Sequence, residues 1–214
     1  NGVIGEPTLL EVVYAHKGVC GFTATSRGVA SHSSTREGLN ANLAMIPFLA
    51  EMKAIHDKTE ADSAWHDDEF DPPTVSWNIL ISDHTKAVNI TPPQSICQVY
   101  FRHMPGQDPD VLLERVQKSA DKHGLKLDVR IKGNPLRVDP DSQFVQEVVK
   151  LAGRDKPRTV AYGTDGAMLG ALKNLIVFGP GSIAQAHTHD EFIDLDQLDK
   201  GTEMYSKLIQ HWCC

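Results

Sequence analysis

The chain has 214 residues, of which 41% are hydrophobic and 23% are charged, and its formal net charge is −7. This composition is typical of a globular protein with enough apolar surface for a core. The negative charge and the lack of a Lys/Arg-rich block argue against nucleic acid and anionic membranes as partners. No apolar run is long enough to span a bilayer, so the expected partner is a small molecule or another protein chain.

The first elements predict a unit that mixes strands and helices. Strands are expected over residues 9–15 and 19–25, followed by a polar loop and a helix over residues 38–56. Its predicted apolar face comprises Leu39, Leu43, Ile46, Leu49 and Met52. Pro47 lies inside this helix, where a proline costs about 3 kcal/mol, so we expect a kink or an early stop there.

The next elements complete a recognisable order. An acidic segment over residues 56–73 is expected to be exposed, and strands are predicted over residues 74–82 and 96–103. Asp108 and Pro109 predict a helix start, Gly124 predicts its end, and an alternating strand follows over residues 125–131. The order strand, helix, strand, strand, helix, strand from residue 19 to residue 132 is that of the ferredoxin-like βαββαβ fold.

The rest of the chain alternates differently. A helix is predicted after Asp139 and Pro140, then a strand over residues 159–162, a turn and helix in GTDGAMLGALKN, a buried strand over residues 175–178 and a last helix over residues 195–212. Alternating strands and helices favour a parallel α/β sheet. We therefore predict an α/β domain formed by residues 1–16 and 134–214, with a ferredoxin-like domain of residues 17–133 inserted in it.

The cysteines and the first residues bear on where the protein works. Cys20, Cys97, Cys213 and Cys214 form no C-x-x-C pair, and no signal peptide is visible. Reduced thiols and a cytoplasmic location are therefore expected. The chain does not begin with Met, and NGVIGEPT has the character of a strand end entering a loop, so we expect a piece of a longer protein.

Two histidines lie close together in AQAHTHDEF. His187 and His189 follow the predicted strand over residues 175–178, which is where α/β sheets build their sites. Imidazole is a common zinc ligand, and the nearby Asp190 and Glu191 can orient it. An isolated H-x-H more often decorates a surface loop, and it also occurs in unrelated metal hydrolases, so this pattern by itself leaves both interpretations open.

Four other residues have a chemical interpretation beside a structural one. Glu6 in GEPT would bind a metal or cap a turn. His32, in the polar loop GVASHSST, would stabilise an oxyanion or simply be exposed. Arg102, on the polar face of its strand, would clamp a carboxylate or be solvated. Thr164 in YGTDGA would help to hold an anion at a helix start or only cap that helix.

Taken in order, five segments resemble one family of proteins. The segments are GEPT, GVASHSS, NITPPQSICQVYFRHMPG, YGTDGAML and FGPGSIAQAHTHDEF. They resemble the co-catalytic zinc peptidases and deacylases that include acetylornithine deacetylase and succinyl-diaminopimelate desuccinylase, and GEPT and GPGSIxQAHxxDE are closest to the acetylornithine deacetylases. The resemblance covers essentially the whole chain. It implies a homodimer, with a ferredoxin-like dimerisation domain inserted in a zinc-binding α/β domain.

The resemblance also implies a metal centre with two zinc ions, for which cobalt can substitute. Glu6 matches the terminal carboxylate ligand of one zinc ion, and His187 matches the terminal histidine ligand of the other. His189 departs from the pattern of the nearest relatives and is not assigned to the metal. The family's H-x-D pair, bridging aspartate and Glu-Glu pair, which includes the general base, correspond to positions before GEPT, so this chain would carry two ligands and no base.

Five residues match positions that surround the substrate in this family. His32 matches the histidine that reaches the neighbouring protomer's site and polarises the scissile carbonyl group. Asn89 and Arg102 match groups that hold the substrate carboxylate, and Thr164 and Gly181 lie in loops around the substrate. The implied reaction is hydrolysis of the amide bond of an N-acyl amino acid, as in amino-acid and arginine biosynthesis. The acyl group and the amino acid stay open, because fold-level analogy does not fix specificity.

Three functions are therefore compatible with the sequence. The first is a fragment of a zinc-dependent amidohydrolase that is active only at full length. The second is a non-enzymatic dimerisation module derived from such an enzyme, which the missing base supports. The third is an unrelated H-x-H metal hydrolase, against which the ferredoxin-like insertion argues.

Overall fold

The computed structural model describes residues 1–214, which form two compact units. Unit 1 comprises residues 1–18, 68–71 and 134–214, and unit 2 comprises residues 19–67 and 72–133. In chain order the elements are β1 (Gly2–Ile4), β2 (Val13–His16), β3 (Val19–Arg27), α1 (Asn42–Ala61), β4 (Ser76–Ser82), β5 (Gln94–Arg102), α2 (Asp110–Lys122), β6 (Lys126–Gly133), β7 (Leu136–Arg137), α3 (Gln143–Leu151), β8 (Arg158–Val160), β9 (Leu175–Val177) and α4 (Leu195–Cys213). None of the helices combines the length and the apolar character that crossing a membrane requires.

Unit 2 has the ferredoxin-like fold that the order of its elements predicts. Its four strands form an antiparallel sheet in the order β4-β5-β3-β6, and α1 and α2 pack together against it. Alternate residues of the two central strands are buried, as a strand period of two requires. These core residues are Cys20, Phe22 and Ala24 on β3 and Cys97, Val99 and Phe101 on β5. Gly124 follows the C-cap of α2 with a φ of +68°, as expected of a C′ glycine.

The helix α1 differs from its prediction in its bounds, since it begins and ends four to five residues later, and in the face that it buries. It continues through Pro47, which removes one hydrogen bond near the start of the helix without ending it. Its buried residues are Met45, Phe48, Met52, Ile55 and Thr59. Leu43 and Ile46 from the predicted apolar face are instead 67% and 59% exposed. The error arises because the helix has two apolar faces, and periodicity alone does not tell which of them meets the core.

Unit 1 contains a mixed sheet rather than the predicted parallel one. The strand order is β1-β9-β2-β7, with β8 also paired to β2. The pairs β1–β9 and β2–β8 are parallel, whereas β2 runs antiparallel to both β7 and β9. Residues 5–12 connect β1 to β2, which lie on either side of β9, the first parallel and the second antiparallel to it. The chain therefore reverses between these two strands.

Two predicted elements of unit 1 are shorter than expected. The strand expected over residues 9–15 begins only at Val13, because Leu9 and Leu10 both have a φ of +57° and cannot be extended. The helix expected in GTDGAMLGALKN is a single 3₁₀ turn over Asp165–Met168. Leu169 and Leu172 beyond it are exposed, so no buried face stabilises a longer helix there.

Candidate metal-binding and substrate-binding residues

The two loops that carry the predicted metal ligands leave the same edge of the sheet in unit 1. Because β1 and β9 are parallel, the loop after β1, which contains Glu6, and the loop after β9, which leads to His187, start side by side. The N–H of Thr8 donates to the carbonyl oxygen of Gly179 at 3.1 Å, and the N–H of Leu9 donates to that of Gly181 at 2.7 Å. The two loops are therefore joined by backbone hydrogen bonds.

Side-chain bonds and a close backbone approach tighten this junction. The hydroxyl of Thr8, which is 1% exposed, accepts from the N–H of Gly179 at 3.2 Å. A Cβ atom on Gly179 would lie only 2.6 Å from the carbonyl oxygen of Glu6, so no other residue fits that position without a shift. Gly181 is buried with a φ of +87°, and its N–H donates to Oε1 of Gln197 at 3.2 Å. The FGPGS sequence thus provides the glycines that this contact needs.

Backbone strain concentrates in the same two loops. Four residues other than glycine have a positive φ, and three of them are Leu9, Leu10 and His187, the last with a φ of +62°. A left-handed conformation costs such residues roughly 1–2 kcal/mol each. Strain of this kind clusters at functional sites, because the surrounding structure must hold it in place. The strain supports a functional role for these loops.

Two arginines hold the strained turn, and sequence reasoning missed both of them. Arg154 donates from Nε to the carbonyl oxygen of Leu10 at 3.0 Å and from Nη2 to that of Leu9 at 2.9 Å. Arg158 donates from Nη2 to the carbonyl oxygen of Thr8 at 3.2 Å. These partners lie 144 to 150 residues apart in sequence, so no local pattern could have indicated the contacts.

The metal-ligand candidates themselves are open to solvent. Glu6 is half-buried and His187 is exposed, and the N–H of His187 donates to Oε2 of Glu191 at 3.1 Å. His189 is almost fully exposed and its Nδ1 lies 3.3 Å from Asp190. Nowhere in the chain do three His, Cys, Asp or Glu side chains come together as a metal-binding group. A carboxylate and an imidazole are suitable donors for zinc, but they fill only part of its usual set of four ligands.

Tyr162 is a polar residue beside Glu6 for which sequence reasoning found no role. Its hydroxyl is buried and has no hydrogen-bond partner. Burial raises the pKa of Tyr162, an effect that the charge of Arg158 opposes and the charge of Glu6 reinforces. The signal was present in YGTDGA, where only Thr164 and its neighbours were considered. An unpartnered hydroxyl beside a candidate ligand is consistent with a polar ligand at this place.

Thr164 caps the short turn that follows it, as the structural alternative predicts. Its hydroxyl accepts from the N–H of Gly166 at 3.1 Å. Gly166 packs against His16, since a Cβ atom on it would lie 3.0 Å from Nε2 of that histidine. His16 is fully buried at the end of β2, and its Nδ1 lies 2.8 Å from the carbonyl oxygen of Lys17. The role of Thr164 in holding an anion stays a prediction.

Two of the predicted substrate residues in unit 2 lie side by side. His32 pairs with Ile90 in an isolated antiparallel bridge, and the N–H of Ser33 donates to the carbonyl oxygen of Asn89 at 2.9 Å. The imidazole of His32 is exposed, and its Nδ1 lies 2.8 Å from the hydroxyl of Ser34. Both His32 and Asn89 are therefore at one end of the sheet, beyond the pair formed by Arg27 and Gln94.

Arg102 lies at the opposite end of the same sheet. It is the last residue of β5, it pairs with Ser76, and its guanidinium lies 5.2 Å from the centre of the Tyr100 ring, a cation–π contact. The strand between Gln94 and Arg102 spans about 27 Å at about 3.4 Å per residue. Within one copy of unit 2, Asn89 and Arg102 are therefore too far apart to hold the same carboxylate.

A comparison with known families matches this fold to a described domain. Residues 14–128 match the peptidase dimerisation domain of the M20 peptidases. That range covers most of unit 2 and more than half of the chain.

Comparisons with curated proteins and solved structures point the same way. The chain is similar to an acetylornithine deacetylase from Myxococcus xanthus, with 27% identity over 100% of this chain and 58% of the relative, and to one from Proteus mirabilis, with 31% identity over 99% and 56%. It thus spans little more than half the length of these relatives. Among solved structures, aminopeptidase PepT from Bacillus cereus has a TM-score of 0.69 at 15% identity over 97% of this chain and 56% of that one. The dipeptidase Dug1p from Saccharomyces cerevisiae has a TM-score of 0.66 at 14% identity over 98% and 57%. At such low identity these two structures establish the fold alone.

Proposed function

We propose that this chain, which belongs to the M20 peptidase family, forms part of a zinc-dependent hydrolase that cleaves the amide bond of an N-acyl amino acid. The observation that carries the proposal is the hydrogen-bonded junction between the loop of Glu6 and the loop that leads to His187. Because of this junction, the loops that carry the two candidate ligands leave the same edge of the sheet. The likeness to acetylornithine deacetylases suggests the substrate class, and the four free cysteines suggest a cytoplasmic protein.

Glu6 and His187 would hold the metal from opposite loops, with further ligands supplied by other parts of the full-length protein. Bound zinc, or cobalt in its place, lowers the pKa of a bound water towards about 7 and polarises a carbonyl oxygen. The chain's own contribution is to fix these two donors. Gly179 and Thr8 lock the loops together, and Arg154 and Arg158 hold the turn that follows Glu6.

The substrate residues of unit 2 would serve two different active sites of a homodimer. His32 and Asn89, at one end of the sheet, would act together in the partner's site, where the imidazole donates to the developing oxyanion. Arg102, at the other end, would bind a substrate carboxylate through a bidentate guanidinium contact. The 27 Å estimate for the length of β5 supports this division, since one protomer cannot bring both ends to one substrate. Thr164 and Gly181 would shape the substrate pocket in unit 1.

A surface of unit 2 has the properties of the dimer contact. The strand β4 is at the edge of the sheet, so its outer backbone groups are free to pair with another strand. Beside it, four apolar residues are more than half exposed: Leu43 and Ile46 on α1, Ile81 on the helix-facing side of β4, and Leu80 on the opposite side of that strand. We call these four residues and the outer edge of β4 the proposed dimer surface. A two-fold axis would bury the same patch on both protomers, which explains the apolar face of α1 that does not meet the core.

The metal assignment is tested in the full-length protein with two neighbouring histidines. His187→Ala is expected to remove one zinc ion per active site and to abolish hydrolysis of N-acetyl amino acids, whereas His189→Ala, the matched control, retains both. Metal analysis of the dialysed proteins and a turnover assay make the measurement. If His189→Ala loses zinc and His187→Ala keeps it, the assignment of the ligand is wrong. Tight stoichiometric zinc in the isolated 214-residue chain would also contradict it.

The role of His32 has its own experiment. His32→Ala in the full-length protein is expected to lower kcat by about 100- to 1,000-fold, the usual effect of losing an oxyanion donor, without changing zinc content. Mixed dimers of His32→Ala and His187→Ala protomers should recover part of the activity, because one site then contains both intact residues. No recovery in the mixed dimers would contradict action across the dimer.

A second candidate is a dimerisation module without catalysis. It is favoured by the extent of the family match, which lies mainly in unit 2, and by the lack of a three-ligand metal cluster in this chain. The two candidates separate on the gene sequence upstream of Asn1. An H-x-D pair followed by a Glu-Glu pair supports the hydrolase, and a start codon close to Asn1 supports the module.

A further inference from the structure

The groove between α1 and α2 in unit 2 is lined by an excess of positive charge. It has a volume of about 480 Å³. Its polar and charged lining residues are Glu51 on α1, Arg115, Lys118, Ser119 and Lys122 on α2, and His123 just beyond that helix. On α1 the groove is lined by Pro47, Ala50 and Glu51, none of which belongs to the proposed dimer surface.

The cations of the groove form one row along α2. Residues 115, 118, 119 and 122 follow the spacing of three and four that places side chains on the same face of a helix. Three full positive charges face the single carboxylate of Glu51, in a chain whose net charge is −7. The helix dipole places about half a negative charge at the C-terminal end of α2, which would explain one cation there. Three cations are more than this partial charge requires.

One hydrogen bond joins these groups and leaves most of their donors unused. Nε of Arg115 donates to Oε1 of Glu51 at 2.5 Å. This contact orients the guanidinium across the groove while engaging only its Nε–H. Lys118 and Lys122 are exposed, and each provides an ammonium group on a flexible stem.

Ser119 provides a second and independent indication of a ligand. Its side chain is 7% exposed, its Oγ is buried, and the hydroxyl has no hydrogen-bond partner in the chain. It also lines the groove, between the two lysines in sequence. A buried hydroxyl without a partner is costly, so an acceptor that enters the groove would satisfy it.

We propose that this groove binds a small molecule that carries a phosphate group. A phosphate has several acceptor oxygens and a charge of about −2, which suits two lysines, an arginine fork and a hydroxyl donor. The volume lies within the range of about 300–1,000 Å³ that is usual for small-molecule sites. The net charge of the chain opposes binding of a long polyanion such as RNA. The site uses none of the residues assigned to zinc or to the N-acyl substrate, so it is independent of the proposed hydrolase activity.

The experiment is a calorimetric titration of the 214-residue chain with inorganic phosphate, with ribose 5-phosphate and, as the uncharged counterpart, with ribose. The two phosphates are expected to bind and ribose is not, and added salt should weaken the binding. The double variant Lys118→Gln/Lys122→Gln should bind at least about tenfold more weakly, because it loses both charge-assisted donors. Ser119→Ala should weaken binding by about three- to tenfold.

The matched control removes two lysines of α1 that lie outside the groove. Lys53→Gln/Lys58→Gln changes the net charge by the same amount and should leave the phosphate affinity unchanged, and circular dichroism checks that all variants are folded. The proposal is overturned if neither phosphate binds at millimolar concentration, or if both double variants lose affinity equally. It is also overturned if an RNA or an acidic peptide binds the groove while ribose 5-phosphate does not.

Discussion

Unit 2 and unit 1 position their functional residues in different ways. Unit 2 relies on regular structure, with strands of seven to nine residues whose hydrogen-bond ladders place His32 and Arg102 at opposite ends of one sheet. Unit 1 has strands of two to four residues and places Glu6 through bonds between loops. The geometry of unit 2 thus follows from its core and its strand register, whereas that of unit 1 depends on a few buried and charged side chains.

The contrast has a consequence for how each region responds to change. A ladder shares its stability over many equivalent bonds, so a surface substitution in unit 2 disturbs little. A loop that is held by two arginines and one threonine has no such reserve. Of the four residues other than glycine with a positive φ, three lie in these loops of unit 1 and only His84 lies in unit 2.

The largest expected effect comes from the core of unit 2. Phe101 is fully buried on β5 and stacks on Trp77 with 4.7 Å between the ring centres. Phe101→Ala should lower the free energy of unfolding by about 3–5 kcal/mol, because it removes a large apolar side chain and leaves a cavity. Urea denaturation measures the loss, and amide exchange locates it in β3 and β5. An equal loss of protection in β1 and β9 would show that the two regions unfold as one, and the comparison would fail.

The cysteines distinguish the two regions without any substitution. Burial raises the pKa of Cys20 and of Cys97, both in the core of unit 2, to about 11 from the ordinary 9.0. A thiol pKa that is two units higher makes the thiolate fraction roughly a hundredfold smaller at a given pH, and the thiolate is the reactive form. Cys213 and Cys214 at the end of α4 are exposed. A thiol-reactive disulfide at pH 8 should therefore modify two thiols of the native chain quickly and four after denaturation.

The number of thiols that react quickly reports how often the core of unit 2 opens. Rapid modification of more than two thiols in the native chain would mean that the core of unit 2 opens readily. Such a result would contradict the view that unit 2 is the more rigid region. Exchange of Cys97 for Ser should leave the number of fast thiols at two, which serves as the control.

The same contrast explains what the sequence could and could not predict. Strict alternation and the turn glycine Gly124 were enough to predict β3, β5, β6 and α2, because each of these elements carries its signal within its own residues, although β3 pairs with strands far along the chain. The predicted face of α1 was wrong at Leu43 and Ile46, which are apolar without being part of the core, whereas Met52 is buried as predicted. Periodicity reports that a face is apolar, and only the tertiary structure decides what covers it.

In unit 1 the limits of sequence reasoning were greater. The left-handed turn at Leu9 and Leu10 was predicted as a strand, because its conformation is imposed by Arg154 and Arg158 from the far end of the chain. The positions of Glu6 and His187 as candidate ligands came from resemblance to a family and not from spacing. The structure adds the junction between Thr8 and Gly179, which joins the two loops where they leave the same edge of the sheet.

An intermediate effect is expected for the arginine that holds this turn. Arg154→Ala removes the donors to the carbonyl oxygens of Leu9 and Leu10 and the ion pair with Glu11 at 2.9 Å. The loss should be about 1–3 kcal/mol, the range for hydrogen bonds that involve a charged group. It should appear as faster amide exchange at residues 8–11 and 179–181, with β3 and β5 unaffected.

The matched control for this substitution keeps the charge. Arg154→Lys retains a cation for Glu11 but lacks the planar fork that reaches two carbonyl groups, so it should restore only part of the protection. Full restoration by lysine would show that charge alone matters. Unchanged exchange in Arg154→Ala would mean that the turn is held by its own backbone bonds, and the contrast between the regions would lose its basis.

The smallest expected effect concerns the short segment 68–71, which belongs to unit 1 although unit 2 surrounds it in sequence. Glu69 accepts from Nη2 of Arg137 at 2.9 Å and from the hydroxyl of Tyr14 at 3.1 Å, and the guanidinium holds the pKa of Glu69 below its ordinary value of 4.5. A lowered folded-state pKa stabilises the protein above the unfolded pKa, and this contribution is lost as the pH falls through the folded pKa. Both side chains are about 40% exposed, so solvent screening limits it to less than about 1 kcal/mol.

Glu69→Gln should therefore lower the thermal midpoint slightly at pH 7 and make no difference at a pH well below 4.5, where both proteins lack the charge. The control is Glu203→Gln on α4, because Glu203 pairs with Lys207 one turn away and connects no distant segments. That substitution should leave the midpoint nearly unchanged at either pH. If Glu203→Gln has the larger effect on the thermal midpoint at pH 7, the ion pair of Glu69 does not stabilise the position of segment 68–71. Long-range side-chain contacts would then contribute less to the stability of unit 1 than its short strands suggest.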